Sequence, residues 1–118
     1  MKKMTETNIK EYDLEKRTFE FAKKVRIFVK SLVKNVANIE DGKQLIRSSG
    51  SVGANYIEAN ESLSKKDFFM RIKICRKEAK ESKYWLELIE SDNPEKEILF
   101  NEAKELTNIF GAIIRNAK

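Results

Sequence analysis

The chain has no histidine, one cysteine, one proline and four glycines in 118 residues. Each scarcity excludes something. Without His there is no Ser-His-Asp or Cys-His pair, and no imidazole-bound metal. Cys75 alone can neither close an internal disulfide nor build a thiolate zinc site within one chain, and it suits a reducing cytoplasm. One Pro and four Gly supply too few turns for a sandwich or barrel. No apolar run approaches the roughly 20 residues of a membrane span. The opening "MKKMTETNIKEYD" has no apolar stretch behind its lysines, so no signal peptide is expected. "DGK" at residues 41–43 is too short for a phosphate-binding loop, and no Gly-rich loop ends in Lys followed by Ser or Thr. No catalytic residue, cofactor or metal is therefore expected, and the chain reads as non-enzymatic.

What is present is charge and helical periodicity. Hydrophobic residues make up 41% and charged residues 36%, with a net charge of +5. That balance suits a water-facing helical domain and leans toward an anionic partner. Four segments repeat apolar residues at helical spacing. The first is expected over Asp13–Ala37, with Leu14, Phe21, Val25, Phe28, Leu32 and Val36 on one arc, widened by Ala22, Val29 and Val33. The turn cluster Asn38–Gly42 is expected to end it. The second is expected over Lys43–Ser62, with Leu45, Val52, Tyr56 and Leu63 facing inward and Arg47, Ser51 and Glu58 pointing away. Ser64 is a natural N-cap for the third, with Asp67 three residues on. Phe68, Ile72, Cys75, Ala79, Ser82 and Leu86 form its core stripe, and Cys75 is expected to be a buried, inert thiol. "SDNP" at residues 91–94 starts the fourth, whose seam is Leu99, Ala103, Leu106, Phe110 and Ile113. Short connections between long amphipathic helices predict an all-α, up-down-up-down four-helix bundle. Residues 1–12 are set apart as a flexible N-terminus and 13–118 form the single domain.

The stretch "IRSSGSVGANYIEANE" (46–61) puts small residues where a helix normally presents Leu or Ile. Two mid-helix glycines cost on the order of 1–2 kcal/mol against alanine. Ser49, Gly53 and Asn60 fall on the packing side, so they predict a seam that lets a neighbouring helix approach closely. The other reading is a kink at Gly50–Gly53.

"KQLIRSSGSVGANYIEA" (43–59), "SKKDF" (64–68) and "KEAKESKYWLELI" (77–89), in that order, resemble the 23S ribosomal RNA intervening-sequence protein family, also called the four helix bundle protein family. Tyr56 is bulkier than the aliphatic residue usual there, and Phe69–Met70 and Ile74–Arg76 drift from the pattern. The resemblance implies a bacterial up-down bundle assembled as a homopentamer, without catalytic activity. The family is also similar to the accessory protein of diversity-generating retroelements, which binds nucleic acid and a reverse transcriptase. The partners so implied are further copies of the chain, RNA or DNA, and a nucleic-acid-processing protein.

Two sets of residues are candidates for function. The first is Arg47, Asn55, Glu58, Ile74, Glu78, Glu81, Trp85 and Leu88, read as an oligomer interface or as ion pairs within or between subunits. Its alternative is a wide core face that Trp85 caps. The second is basic. Lys16, Lys23 and Lys30 recur every seven residues, with Arg26 beside them, and Lys66, Lys73, Arg76, Lys77 and Lys80 crowd the third helix. These predict phosphate-backbone contact with RNA or DNA; the alternative is a solvated helix surface. Neither face is expected to interleave aromatics for base stacking. The leading function is an oligomeric nucleic-acid-binding bundle, and its rival is an oligomeric protein scaffold that binds no nucleic acid.

Overall fold

The computed structural model describes the backbone of residues 6–116 and the side chains of residues 14–116. Its helices are α1 (Glu6–Lys30), α2 (Val36–Asn60), α3 (Lys65–Leu88) and α4 (Glu95–Arg115), with no strand among the described residues. α2 packs extensively on α3, and α3 on α4; α1 lies mainly on α2 and touches α4 least. Among the described residues the backbones of the diagonal pairs α1–α3 and α2–α4 stay apart, and only side chains reach across the core. Short connections make sequential helices antiparallel neighbours, so this cyclic order is the expected up-down-up-down bundle. It measures 50 × 29 × 20 Å.

Phe21 and Phe28 of α1, Leu45, Val52 and Tyr56 of α2, Ile72, Cys75 and Leu86 of α3, and Leu99, Leu106 and Phe110 of α4 are all buried. Burial of each large side chain contributes roughly 1.5–3 kcal/mol. Tyr56 meets Phe110 at a centroid distance of 6.0 Å, so the bulky residue at that position fills the core. Ser64 caps α3 as expected, accepting a hydrogen bond from the Asp67 amide at 3.0 Å. At α4, the Asn93 side chain accepts from the Glu95 amide at 3.0 Å, and Glu95 and Glu97 occupy the positive end of the helix dipole.

The first turn is misplaced in the sequence reading. α1 stops at Lys30, and the connection is 31–35. Asn35 caps α2 by accepting from the Asn38 amide at 2.8 Å, and the Asn38 side chain donates to the Val33 carbonyl at 2.9 Å. These bonds start a helix where a turn was expected, and Asn38–Gly42 lies inside α2. Gly42 serves packing: a Cβ there would come within 2.9 Å of Val29 Cγ1. Val36, assigned to the core arc, is 80% exposed, and Leu63, assigned to the second helix, is fully exposed just beyond its end. Val33 is also exposed, in the connection. Of the segment set apart as 1–12, residues 1–5 lie outside the described residues.

Candidate functional site

The small-residue seam exists in part. α2 is continuous from Val36 to Asn60 with no positive-φ glycine, so the chain does not break at Gly50–Gly53. Ser49 is fully buried. A Cβ on Gly53 would meet Thr18 Oγ1 of α1 at 2.9 Å and its Cβ at 3.3 Å. Asn60 is exposed and takes no part, because it is the last residue of α2, beyond its packed length. Next to the seam, and sharing Gly53 with it, Phe19, Ala22, Gly50, Gly53, Ala54 and Ile57 line an open groove of about 620 Å³ between α1 and α2. Phe19 and Ile57 are about half exposed on its rim.

Along the other edge of α2, five of the eight proposed interface residues bond across to α3 or within it. Arg47 reaches α3, where its guanidinium donates to Glu81 and stands 3.6 Å from Glu78. This corrects the expectation that Arg47 points away: its long side chain crosses the helix edge to reach two acids three residues apart. Trp85 Nε1 also donates to Glu81, at 3.2 Å. Asn55 accepts from Arg71 at 2.9 Å, and Ser48 and Ser82 share a buried hydrogen bond of 2.8 Å. Glu78 is buried, and its Oε1 has no hydrogen-bond partner, so the nearby Arg47 charge offsets its desolvation. Burial alone would push the Glu81 carboxyl up, but hydrogen bonds from Trp85 and Arg47 outweigh it and hold Glu81 below the usual carboxylate range. Of the remaining three, Ile74 is half-buried, while Glu58 and Leu88 are exposed. The ionic cluster thus closes within one chain.

A second ionic clamp was missed in the sequence. Arg17 of α1 donates to Glu102 at 2.7 and 3.0 Å and to Glu105 at 2.6 Å, bridging to α4 where those helices touch least. The Glu102 hydrogen bond leads in raising Arg17 above its ordinary value, against opposing desolvation. The signal was present: Glu102 and Glu105 are three apart, and so share one helix face. Cys75 is buried with its Sγ 3.4 Å from the Val52 carbonyl, and burial pushes its thiol up to about 12.

All nine basic candidates are exposed: Lys16, Lys23, Arg26 and Lys30 on α1, and Lys66, Lys73, Arg76, Lys77 and Lys80 on α3. Among the described residues none of them forms a carboxylate ion pair. They do not form one surface. α1 and α3 are diagonal in the bundle, so their outer faces point away from each other. Arg26 folds toward α2, donating to the Ala22 carbonyl at 3.0 Å and lying near Gly50, while Arg76 lies near Gly111 of α4. Aromatics do stand on both faces, contrary to expectation. Phe19 is 60% exposed with the Lys23 ammonium 5.9 Å from its ring centroid, and Tyr84 is 56% exposed one turn beyond Lys80.

Residues 10–116 match the family described as 23S rRNA-intervening sequence protein. The chain belongs to that family. It is also similar to a solved structure from Bacteroides thetaiotaomicron, described as a protein with unknown function from the S23 ribosomal protein family. The two are 34% identical with a TM-score of 0.75, over 86% of this chain and 97% of the other. None of the curated proteins compared with the chain matches it. Family membership therefore accounts for the bundle and leaves its function to be argued from the surfaces. Among the described residues, no helix is long and apolar enough to cross a membrane, and no cluster of three or more His, Cys, Asp or Glu could hold a metal.

Proposed function

We propose that this chain is a non-enzymatic, cytoplasmic, homo-oligomeric bundle that binds RNA or DNA by phosphate contacts from its basic faces. One observation carries the reading: nine exposed cations on α1 and α3 are left without carboxylate partners among the described residues, while Arg17 and Arg47 take the inter-helix acids. Cations kept out of ion pairs are available to displace the counterions of a nucleic-acid backbone. Repetition in an oligomer, a pentamer by the family resemblance, multiplies a weak patch by avidity. The buried thiol of Cys75 suits a reducing compartment.

The test is a titration of labelled RNA and labelled duplex DNA at low and moderate salt. Log affinity should fall linearly with log salt, with a slope of roughly 0.9 per neutralised duplex phosphate. Replacing Lys16, Lys23 and Lys30 together with Glu should weaken binding about equally for unrelated sequences, since phosphate contacts carry no sequence information. No binding even at low salt overturns the reading.

The α1–α2 groove supports a second reading, a scaffold that docks a helix. Its floor of Gly50, Gly53 and Ala54 gives a partner backbone close approach, and Phe19 and Ile57 offer apolar contact. Association that depends on Ile57, with no nucleic-acid binding, would favour it.

A further inference from the structure

The outer face of α3 has an order that its charge alone does not convey. Lys66, Lys73 and Lys80 recur every seven residues, and so do Met70, Lys77 and Tyr84. Seven residues are nearly two turns, so each set forms a row with a spacing of roughly 10 Å along the helix. The two rows lie side by side, and all six residues are exposed. Between Lys73 and Tyr84 the only acids are Glu78 and Glu81, and both are drawn to Arg47 at the α2 edge. Among the described residues the face is therefore a run of cations outside any ion pair, ending in an aromatic ring.

That ring is held in place. Tyr84 meets Trp85 edge-on, with centroids 5.0 Å apart and an interplanar angle of 74°. Trp85 is pinned through its Nε1 to Glu81, and Glu81 is held in turn by Arg47. The ionic cluster between α2 and α3 thus fixes the base of an exposed tyrosine. Phe19 on α1 differs: the Lys23 ammonium lies over its ring, and it lines the α1–α2 groove.

A fixed, exposed aromatic beside a cationic track is what unpaired bases need. Bases of a single strand present their π-faces, whereas those of a duplex are stacked on one another. A protein partner suits the face less well, because interface centres are depleted in lysine. We propose that the outer face of α3 is a track for single-stranded nucleic acid, with Tyr84 as a base-stacking platform and Lys66, Lys73, Lys77 and Lys80 contacting the backbone. The proposal rests on the nucleic-acid reading above and names its substrate class.

The experiment compares a labelled single strand with its own duplex, using the full chain, Tyr84→Ala and Tyr84→Phe. The parent should bind the single strand more tightly. Tyr84→Ala should lose about tenfold or more of that affinity and leave duplex binding unchanged. Tyr84→Phe should retain it, because the ring and not the hydroxyl stacks. Trp85 is the only tryptophan, and its fluorescence should change as single strand is added to the parent but not to Tyr84→Ala. Light scattering on each variant supplies the control. Single-strand binding indifferent to Tyr84→Ala overturns this inference and leaves the phosphate reading standing. Equal loss for both substrates, or a change of oligomeric mass in Tyr84→Ala, also overturns it, the latter by making the face a contact between copies. Absence of binding by the parent to either substrate overturns both.

Discussion

Gly50 and Gly53 are three residues apart on α2, yet a methyl group would meet different surroundings at each. At Gly50 the nearest atom is Arg26 Nη2 at 3.3 Å, the free end of a flexible side chain. At Gly53 it is Thr18 Oγ1 at 2.9 Å, on a residue that is only 1% exposed and cannot swing out of the way. Glycine costs a helix interior about 0.8–1 kcal/mol against alanine. Gly50→Ala should recover most of that and raise the melting temperature by a few degrees. Gly53→Leu should overpack the α1–α2 contact and cost roughly 1–3 kcal/mol. Thermal melts of the two variants check the pair, and the reverse order would mean that α1 does not sit on Gly53. The sequence showed that small residues gather here but not which of them is covered. That depends on Thr18, supplied by another helix.

The α2–α3 contact is the element where charge and packing meet, and its stability should depend on acid. Glu81 is held below the ordinary carboxylate range in the fold, so its charged form stabilises the native state. That contribution is fully present above the unfolded value near 4.5 and is lost as pH falls through the lower folded value. Stability, read by denaturant melts from pH 6 downward, should therefore drop below about pH 4.5. In Glu81→Gln that part of the drop should be missing; an unchanged acid profile would mean the Arg47–Glu81 bond contributes nothing. Arg47 itself is raised, led by its Glu81 bond, so it stays charged across this acid range and sets no second window. Much of this element was legible: the inward stripe of α3, the Ser64 cap and an Arg47 pairing with Glu78 and Glu81 all follow from spacing. Other features were not. The α1–α2 turn was missed because Leu32 stays buried after the helix ends, so the apolar arc runs on past Lys30. Gly42 looked like turn chemistry because its partner, Val29, is not its sequence neighbour. Tyr84 was overlooked beside Trp85, although its four-residue spacing from Lys80 already put it on the basic face.

At the scale of the whole molecule, two surfaces compete to explain its behaviour, and salt separates them. One is the apolar α1–α2 groove, with Phe19 and Ile57 on its rim, and Ile39 of α2 and Val33 of the connection exposed toward the other end of the pair. The other is the set of cations on α1 and α3. If copies associate through apolar surface, each brings a net charge of +5 to the contact, and like charges oppose assembly. Salt screens that repulsion, with a Debye length of about 10 Å at 0.1 M, so assembly should tighten as salt rises. Nucleic-acid binding should weaken over the same range, because salt makes counterion release less favourable. Light scattering at micromolar chain concentration should therefore show an oligomer whose mass holds or grows from 50 to 300 mM salt, while oligonucleotide affinity falls. Ile57→Asp should lower the mass without loss of helical signal, since Ile57 is 48% exposed and contributes little to the monomer core. A monomer at every salt concentration would remove self-association through this groove. A mass that falls with salt would shift the contact between copies onto charged groups, and the free cations of α1 and α3 would then have a partner in the next subunit.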